Sequence, residues 1–234
     1  MESKFMTGLG LIKFLALILC MGVFWADLAW AKAIKLPAPS KRGALSLEQT
    51  LAQRRTHRSF VAKPISLNQL SQLLWAAYGV TGGKYGIALK TAPSAGATYP
   101  LEIYAVVGKG ALKELKPGVY RYLPENHSLE LIKKGNQRQA AASASLGQSW
   151  AAQAPVMLLI AAQYERCTAK YGQRGRTYTH IEAGCVGQNI FLQAEALGLK
   201  AGIIGAFNDD ELADSLGIPT NQPPLLLMPV GYIQ

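Results

Sequence analysis

Three short stretches carry residue types whose chemistry depends on being brought together. The first is "RRTHRSF" (54–60), which sets Arg54 and Arg58 on either side of the Thr56 hydroxyl. A guanidinium offers planar, paired N–H donors, so Arg54, Thr56 and Arg58 could grip a phosphate or the electron-rich carbonyl edge of an aromatic ring. They could equally form a solvated basic helix end that complements the helix dipole. The second is "PSAGATYP" (93–100), where Ser94, Ala95, Gly96 and Ala97 keep the side chains small. Such a run lets backbone N–H groups approach a flat or anionic ligand, or serves as the N-cap and first turn of a helix. The third is "GIIGAFN" (202–208), in which the backbone could approach a ligand at Gly205 or simply end a strand. None has the glycine spacing of a Walker or Rossmann phosphate loop. His57, His127 and His180 stand apart, and no His, Cys and Asp residues have metal-ligand spacing, so no metal is expected.

The elements that must position these stretches are legible around them. Ser46-x-x-Gln49 is a capping box opening a helix that runs into the arginines, and Ser66-x-x-Gln69 opens a second. In the second, Leu67, Leu70, Leu74 and Ala77 form one apolar stripe, and Gly79 ends it. "GVTGGKYG" (79–86) reads as a flexible connection. "LEIYAVVG" (101–108) and "GVYRYL" (118–123) are β-rich, and "HSLELI" (127–132) alternates like a hairpin partner of the latter. Residues 137–153 are Ala-rich and read as helical. "APVMLLIAAQ" (154–163) is a continuous apolar run, as expected of a strand buried on both faces. "YTHIEAGCVGQNIFLQAEALGL" (178–199) is a long helix whose Ala183, Gly184 and Gly187 permit close packing. Strand and loop follow in "KAGIIGAFN" (200–208), Asn208-x-x-Glu211 caps a short helix, and "PLLLMPVGYI" (224–233) is a last buried strand. The class is α+β, one domain over residues 45–234.

The 234 residues are 50% hydrophobic and 16% charged, which excludes disorder, and the net charge is +10. The Lys and Arg residues are scattered, without the dense basic run or stacked aromatics of a nucleic-acid module. Residues 1–31 read as a signal peptide: an apolar run from Phe14 to Trp25, then the small-x-small site Ala29-Trp30-Ala31. The expected location is therefore outside the inner membrane, in the periplasm, or tethered to the membrane if the signal stays uncleaved. Leu19 before Cys20 is too bulky for a lipoprotein box. Residues 32–44 read as a linker. Cys167 and Cys185 remain after cleavage, and two free thiols fit better than a bridge because Cys185 sits in a helical pattern as a small hydrophobe.

Six motifs in order carry a resemblance: "RRTHRSF", "LSQLLWAAYGV", "TAPSAGATYPLEIYAV", "AKYGQRGRTYTHIEAGCVGQNIFLQAEALGL", "IIGAF" and "LLLMPVG". Together they resemble the nitroreductase-like flavoprotein family and, within it, the SagB/ThcOx-type dehydrogenases. The resemblance covers residues 46–234. It implies a central mixed sheet flanked by helices, in a homodimer that binds FMN at the subunit interface. By position, Arg54 and Thr56 match phosphate- and ribityl-side contacts, and Arg58 matches the cation near the flavin N1/O2 edge, where it favours anionic reduced flavin. Ser94, Ala95, Gly96 and Ala97 match the ring-contact loop, and Ile204, Gly205 and Ala206 match the segment facing flavin N5. Lys170 and Tyr171 fall where azoline oxidases of this branch carry a Lys-Tyr pair that removes the substrate proton. A lysine can do so only if its pKa falls towards working pH.

Two departures from the family pattern stand out. Many nitroreductases have Asn near position 97, where this sequence has Ala97. Many also use a basic residue in the tail for the FMN phosphate; no Lys or Arg follows Lys200 here, which shifts that contact to Arg54 with Arg174 or Arg176. The implied activity is two-electron transfer between a small substrate and an acceptor through flavin N5. Outside the cytoplasm NAD(P)H is not expected, so substrate oxidation with oxygen or a membrane carrier as acceptor fits best. The alternatives are an azoline-type peptide oxidase, a non-catalytic flavin-binding or interaction protein on the same fold, and a basic protein docked on anionic lipid.

Overall fold

The computed structural model describes residues 33–84 and 86–234, and the signal-peptide expectation lies outside the described residues. Seven strands form one sheet: β1 (Ile34–Lys35), β4 (Leu101–Val107), β5 (Gly118–Leu123), β6 (Ser128–Lys134), β7 (Val156–Ala162), β8 (Lys200–Ala201) and β9 (Pro224–Gly231). Their order is β1-β6-β5-β4-β7-β9-β8, and every ladder in it is antiparallel. Parallel pairing enters at the sheet margin, where Thr56 bridges Ala201. Helices α1 (Leu47–Gln53), α2 (Leu67–Tyr78), α3 (Arg138–Ala144), α4 (Glu165–Tyr171), α5 (Arg174–Ala196) and α6 (Asp209–Leu216) surround it.

Successive residues of a strand face opposite sides, and both sides of this sheet are covered, so β7 is apolar throughout and β4 is so apart from Glu102. Ile103, Ala105, Val107, Leu158 and Ile160 face a core completed by α2 and α5, through Leu70, Leu74, Val186 and Ile190. Tyr104, Val106, Met157 and Leu159 face the other side, covered by Ala141, Leu212 and Leu216 of α3 and α6. All seven β7 residues are buried, as the unbroken apolar run predicts. Burying each of the larger aliphatic side chains contributes about 1.5–3 kcal/mol.

The capping boxes form as expected. Ser46 Oγ accepts from Gln49 N and the Gln49 side chain returns to Ser46 N at 2.8 Å, and Ser66 and Gln69 repeat the pattern. Asn208 caps α6 by accepting from Glu211 N at 3.2 Å.

Three expectations are corrected. Residues 33–44 are not a free linker: β1 lies within them, paired with Ser128 and Leu129, and Leu36 is only 3% exposed. His127 fastens this arm, with Nε2 2.7 Å from Ser71 Oγ and 2.9 Å from the Pro37 carbonyl, and Nδ1 2.8 Å from Tyr122 Oη. The connection after α2 is a hairpin, β2 (Val80–Lys84) with β3 (Ile87–Lys90), whose turn uses left-handed Gly86 (φ 77°). Residues 137–153 are not one helix, because Leu146 and Gly147 take φ 53° and 71° and separate α3 from a 3₁₀ segment at Ser149–Gln153.

Candidate functional site

The loop at residues 93–100 is a cradle rather than the start of a long helix. Ala95–Ala97 make a single 3₁₀ turn, and Gly96, Ala97 and Tyr99 all adopt left-handed φ (57°, 54° and 46°). Left-handed backbone costs a non-glycine residue about 1–2 kcal/mol, so the surrounding contacts must over-determine this conformation. They do. Ser94 Oγ accepts from Tyr99 N at 2.9 Å, the Tyr99 hydroxyl meets Lys90 N at 3.2 Å, and Arg166 donates to the Tyr99 carbonyl at 3.1 Å.

The structure brings this loop against the predicted Lys-Tyr pair. Lys170 and Tyr171 end α4, and a Cβ added at Gly96 would collide with the Tyr171 hydroxyl and lie 2.6 Å from Lys170 Nζ. Glycine at 96 takes this φ without strain and, lacking a side chain, lets the loop meet the tips of the pair with neither displaced. Tyr171 in turn packs edge-on against Tyr178 of α5, with ring centroids 5.3 Å apart.

Beneath the loop lies a residue that the motif reading passed over. Glu182 of α5 is 2% exposed, and its Oε1 accepts from the Tyr78 hydroxyl at 2.6 Å. Burial raises its pKa above the usual carboxylate range, opposed by the hydroxyls of Ser94 and Tyr78 and by the Lys90 ammonium. Lys90 lies over the rings of Tyr78 and Tyr99, 4.4 and 5.0 Å from their centroids. Tyr78 itself stays neutral, its pKa pushed well up by burial and then by Glu182. Helical spacing could have found Glu182, since Thr179, Ala183, Val186 and Ile190 define the buried face of α5 and position 182 falls on it.

The arginine motif and the glycine motif also meet, around β8. Arg54 ends α1, and its guanidinium lies 5.2 Å from the centre of the Phe191 ring of α5. Thr56 bridges Ala201, and His57 N donates to the Ala201 carbonyl at 2.9 Å. Arg58 is exposed, and neither Arg54 nor Arg58 has a carboxylate partner among the described residues. The 204–206 segment follows: Ile204 is buried and pairs with Leu227 of β9, leaving Gly205 and Ala206 exposed. A Cβ at Gly205 would meet nothing closer than Leu226 Cδ2 at 4.0 Å, so this chain's own packing does not require glycine there. An open backbone edge beside unpaired guanidiniums, and a separate small-residue cradle, fit a flat, anionic cofactor of the flavin type.

Helix α5 separates the two groups within one chain. The loop lies beside Tyr178, Glu182 and Cys185, whereas Arg54 lies on Phe191. Nine residues divide Glu182 from Phe191, a rise of about 14 Å. Arg174 and Arg176, expected to share a phosphate with Arg54, are at the far end of α5; their guanidiniums stack on Tyr178 and Tyr164 at 5.5 and 3.8 Å from the ring centroids. Cys185, expected to be buried, is half-exposed, while Cys167 is buried, and both thiols are free.

Residues 51–232 match the sequence model of the Nitroreductase family, and the chain belongs to that family of flavin-dependent oxidoreductases. Its similarity to the microcin B17-processing protein McbC of Escherichia coli sets it with the SagB-type branch: 27% identity over 157 residues, covering 66% of this chain and 57% of McbC. A protein of Methanocaldococcus jannaschii that carries the nitroreductase name is 47% identical over 191 residues, 80% of this chain and 91% of the relative. A crystal structure from Ralstonia eutropha JMP134, also named as a nitroreductase, superposes with a TM-score of 0.74 at 29% identity, covering 88% of this chain and 91% of the other.

Proposed function

We propose that the protein is an FMN-dependent oxidoreductase that works as a homodimer. Each cofactor site combines the Ser94–Ala97 loop of one copy with Arg54, Thr56, Arg58 and Ile204–Ala206 of the other. The observation that supports this reading is that the Ser94 loop and Arg54 of one chain lie against points of α5 about 14 Å apart. Exposed Leu47 and Leu51 on α1 (59% and 50%) and Ile181 on α5 (58%) provide apolar surface of the kind a second copy would cover.

When bound, FMN supplies an N5 atom that takes up or gives back two electrons as hydride. Arg54 and Thr56 would hold the phosphate and ribityl side, and Arg58 would supply a positive charge that favours the reduced anion. The exposed backbone at Gly205 and Ala206 would leave room for the ring. The tips of Lys170 and Tyr171 lie against the Gly96 cradle, and these residues would take up the proton lost from an oxidised substrate. Export, read from the leader, favours oxidation of a small substrate with oxygen or a membrane carrier as acceptor.

Likeness to McbC and the Lys170–Tyr171 placement favour a second reading, oxidation of azoline rings in a peptide. The absorption spectrum of the purified protein, with the released chromophore weighed, tests the common core of both. Stoichiometric FMN is expected. A colourless protein that takes up no added FMN would overturn both and leave a non-catalytic interaction protein. A lipid-docking role predicts vesicle binding that salt abolishes.

A further inference from the structure

We propose that the space between the β2–β3 hairpin and the main sheet is a binding site for a small carboxylate with an apolar body, anchored on the Lys90 ammonium. The site is a cavity of about 440 Å³, walled by Ile87 and Lys90 of β3, by Tyr99, and by Arg121 and Leu123 of β5. That size is ordinary for a small-molecule pocket. The assignment needs no cofactor and does not rest on the functional reading above.

The anchor is marked by how loosely it is held. The Lys90 side chain is 8% exposed, and its one carboxylate partner among the described residues is Glu125, 3.4 Å away and itself 62% exposed. A well-made ammonium–carboxylate bond is about 2.7–2.9 Å long. The rings of Tyr78 and Tyr99, with centroids 4.4 and 5.0 Å from Nζ, attract the charge but do not satisfy its three N–H donors. Burying a charge on such terms is costly unless a further partner arrives. The other cations of the cavity are committed. Arg166 holds Glu102 at 2.5 Å, and Arg121 gives Nε and Nη2 to Glu130 at 3.1 and 2.8 Å, keeping Nη1 to donate.

Glu125 therefore shows where a carboxylate sits and how room is made for one. Lys90, Arg121 and Arg166 are balanced by Glu102, Glu125 and Glu130, so an incoming monoanion keeps the balance when Glu125 turns out to water. A phosphate dianion brings more charge than Glu125 gives up. The rest of the wall includes Ile87, Leu101, Leu123 and Pro124, which favours an aliphatic body behind the carboxylate. Lys90 N donates to the Tyr99 hydroxyl at 3.2 Å, so a ligand on Lys90 lies one hydrogen bond from the 93–100 loop.

The test measures hexanoate binding to the full chain by calorimetry and amide NMR, against the neutral hexanamide and inorganic phosphate. We expect saturable hexanoate binding, at least about 10-fold weaker binding of the other two, and amide shifts at Lys90, Tyr99 and Arg121. Lys90→Met keeps the apolar stem and should weaken hexanoate roughly 10- to 100-fold. Glu125→Gln removes the competing carboxylate from an exposed position and should tighten binding several-fold. No saturable binding, shifts at Arg54 and Arg58 instead, or equal affinity in folded Lys90→Met would overturn the proposal. Should Lys90→Met not fold, an affinity unchanged or lowered in Glu125→Gln would do the same. Phosphate or hexanamide bound as tightly as hexanoate would overturn the assignment to an apolar-bodied carboxylate.

Discussion

The two halves of the site are built on opposite principles. The loop half is held from within: left-handed residues at 96, 97 and 99 are pinned by Ser94, Lys90 and Arg166, over a buried glutamate. The arginine half lies on the surface, tethered to β8 by main-chain bonds from Thr56 and His57, with its charged ends free. Preorganisation therefore resides in one half and electrostatic attraction in the other. In the proposed site the cradle would set the geometry of a flat ligand, and the unpaired guanidiniums would hold its charge.

The sharpest way to break that contrast is Gly96→Val. Any side chain there must adopt left-handed φ and displace Tyr171 and Lys170. We expect a loss of about 2 kcal/mol, or roughly 4–8 °C in Tm by calorimetry, together with loss of FMN uptake. Arg54→Ala should do the reverse. Removing a charge-assisted bond worth about 1.5–3 kcal/mol weakens FMN binding roughly 10- to 100-fold by fluorescence titration. Its Tm should fall by little, since only the Phe191 contact is lost. Gly205→Ala separates packing from ligand approach: with 4.0 Å to the nearest atom, stability should stay within about 0.5 kcal/mol while FMN binding weakens.

The smallest effect is in pH, and its sign differs between the halves. Glu182 has a raised folded pKa, so its contribution to stability is greatest below the ordinary carboxylate pKa and is lost as pH rises through the folded value. His57 has a lowered pKa, chiefly from desolvation and then from Lys200, so stability is lost as pH falls through the ordinary imidazole range. Denaturant titrations should show the Glu182→Gln difference growing as pH rises and a smaller His57→Gln difference growing as pH falls. Slopes against pH of the same sign for the two variants would end the comparison.

What the sequence disclosed follows from which signals are local. The capping boxes at Ser46 and Ser66 declare themselves within four residues, and the apolar run of β7 is unbroken, so both were legible. The partnership of the 93–100 loop with Lys170 and Tyr171 was not, because it joins residues some seventy positions apart through a missing side chain at Gly96. Arm strand β1 has two residues and no alternation to read; its pairing with Ser128 and Leu129 is main-chain. The hairpin at Val80–Lys90 was hidden by its glycines, which spell flexibility until the partner strand is seen. Glu182 falls on the buried face by helical spacing, but its partner, the Tyr78 hydroxyl, lies 104 residues away in sequence and left no local signal.

Strands β1 and β8, at the two borders of the sheet, have a consequence for how copies of this protein meet in concentrated solution. Each is two residues long, and beyond the β1 pairing β6 continues through Glu130, Leu131 and Ile132 to Lys133 and Lys134. Beyond β8 the chain folds back on itself through Thr56. A neighbouring polypeptide looking for a template to extend finds at one margin a short stub followed by charge, and at the other a margin already occupied. The wide apolar sheet is thereby protected against runaway strand addition.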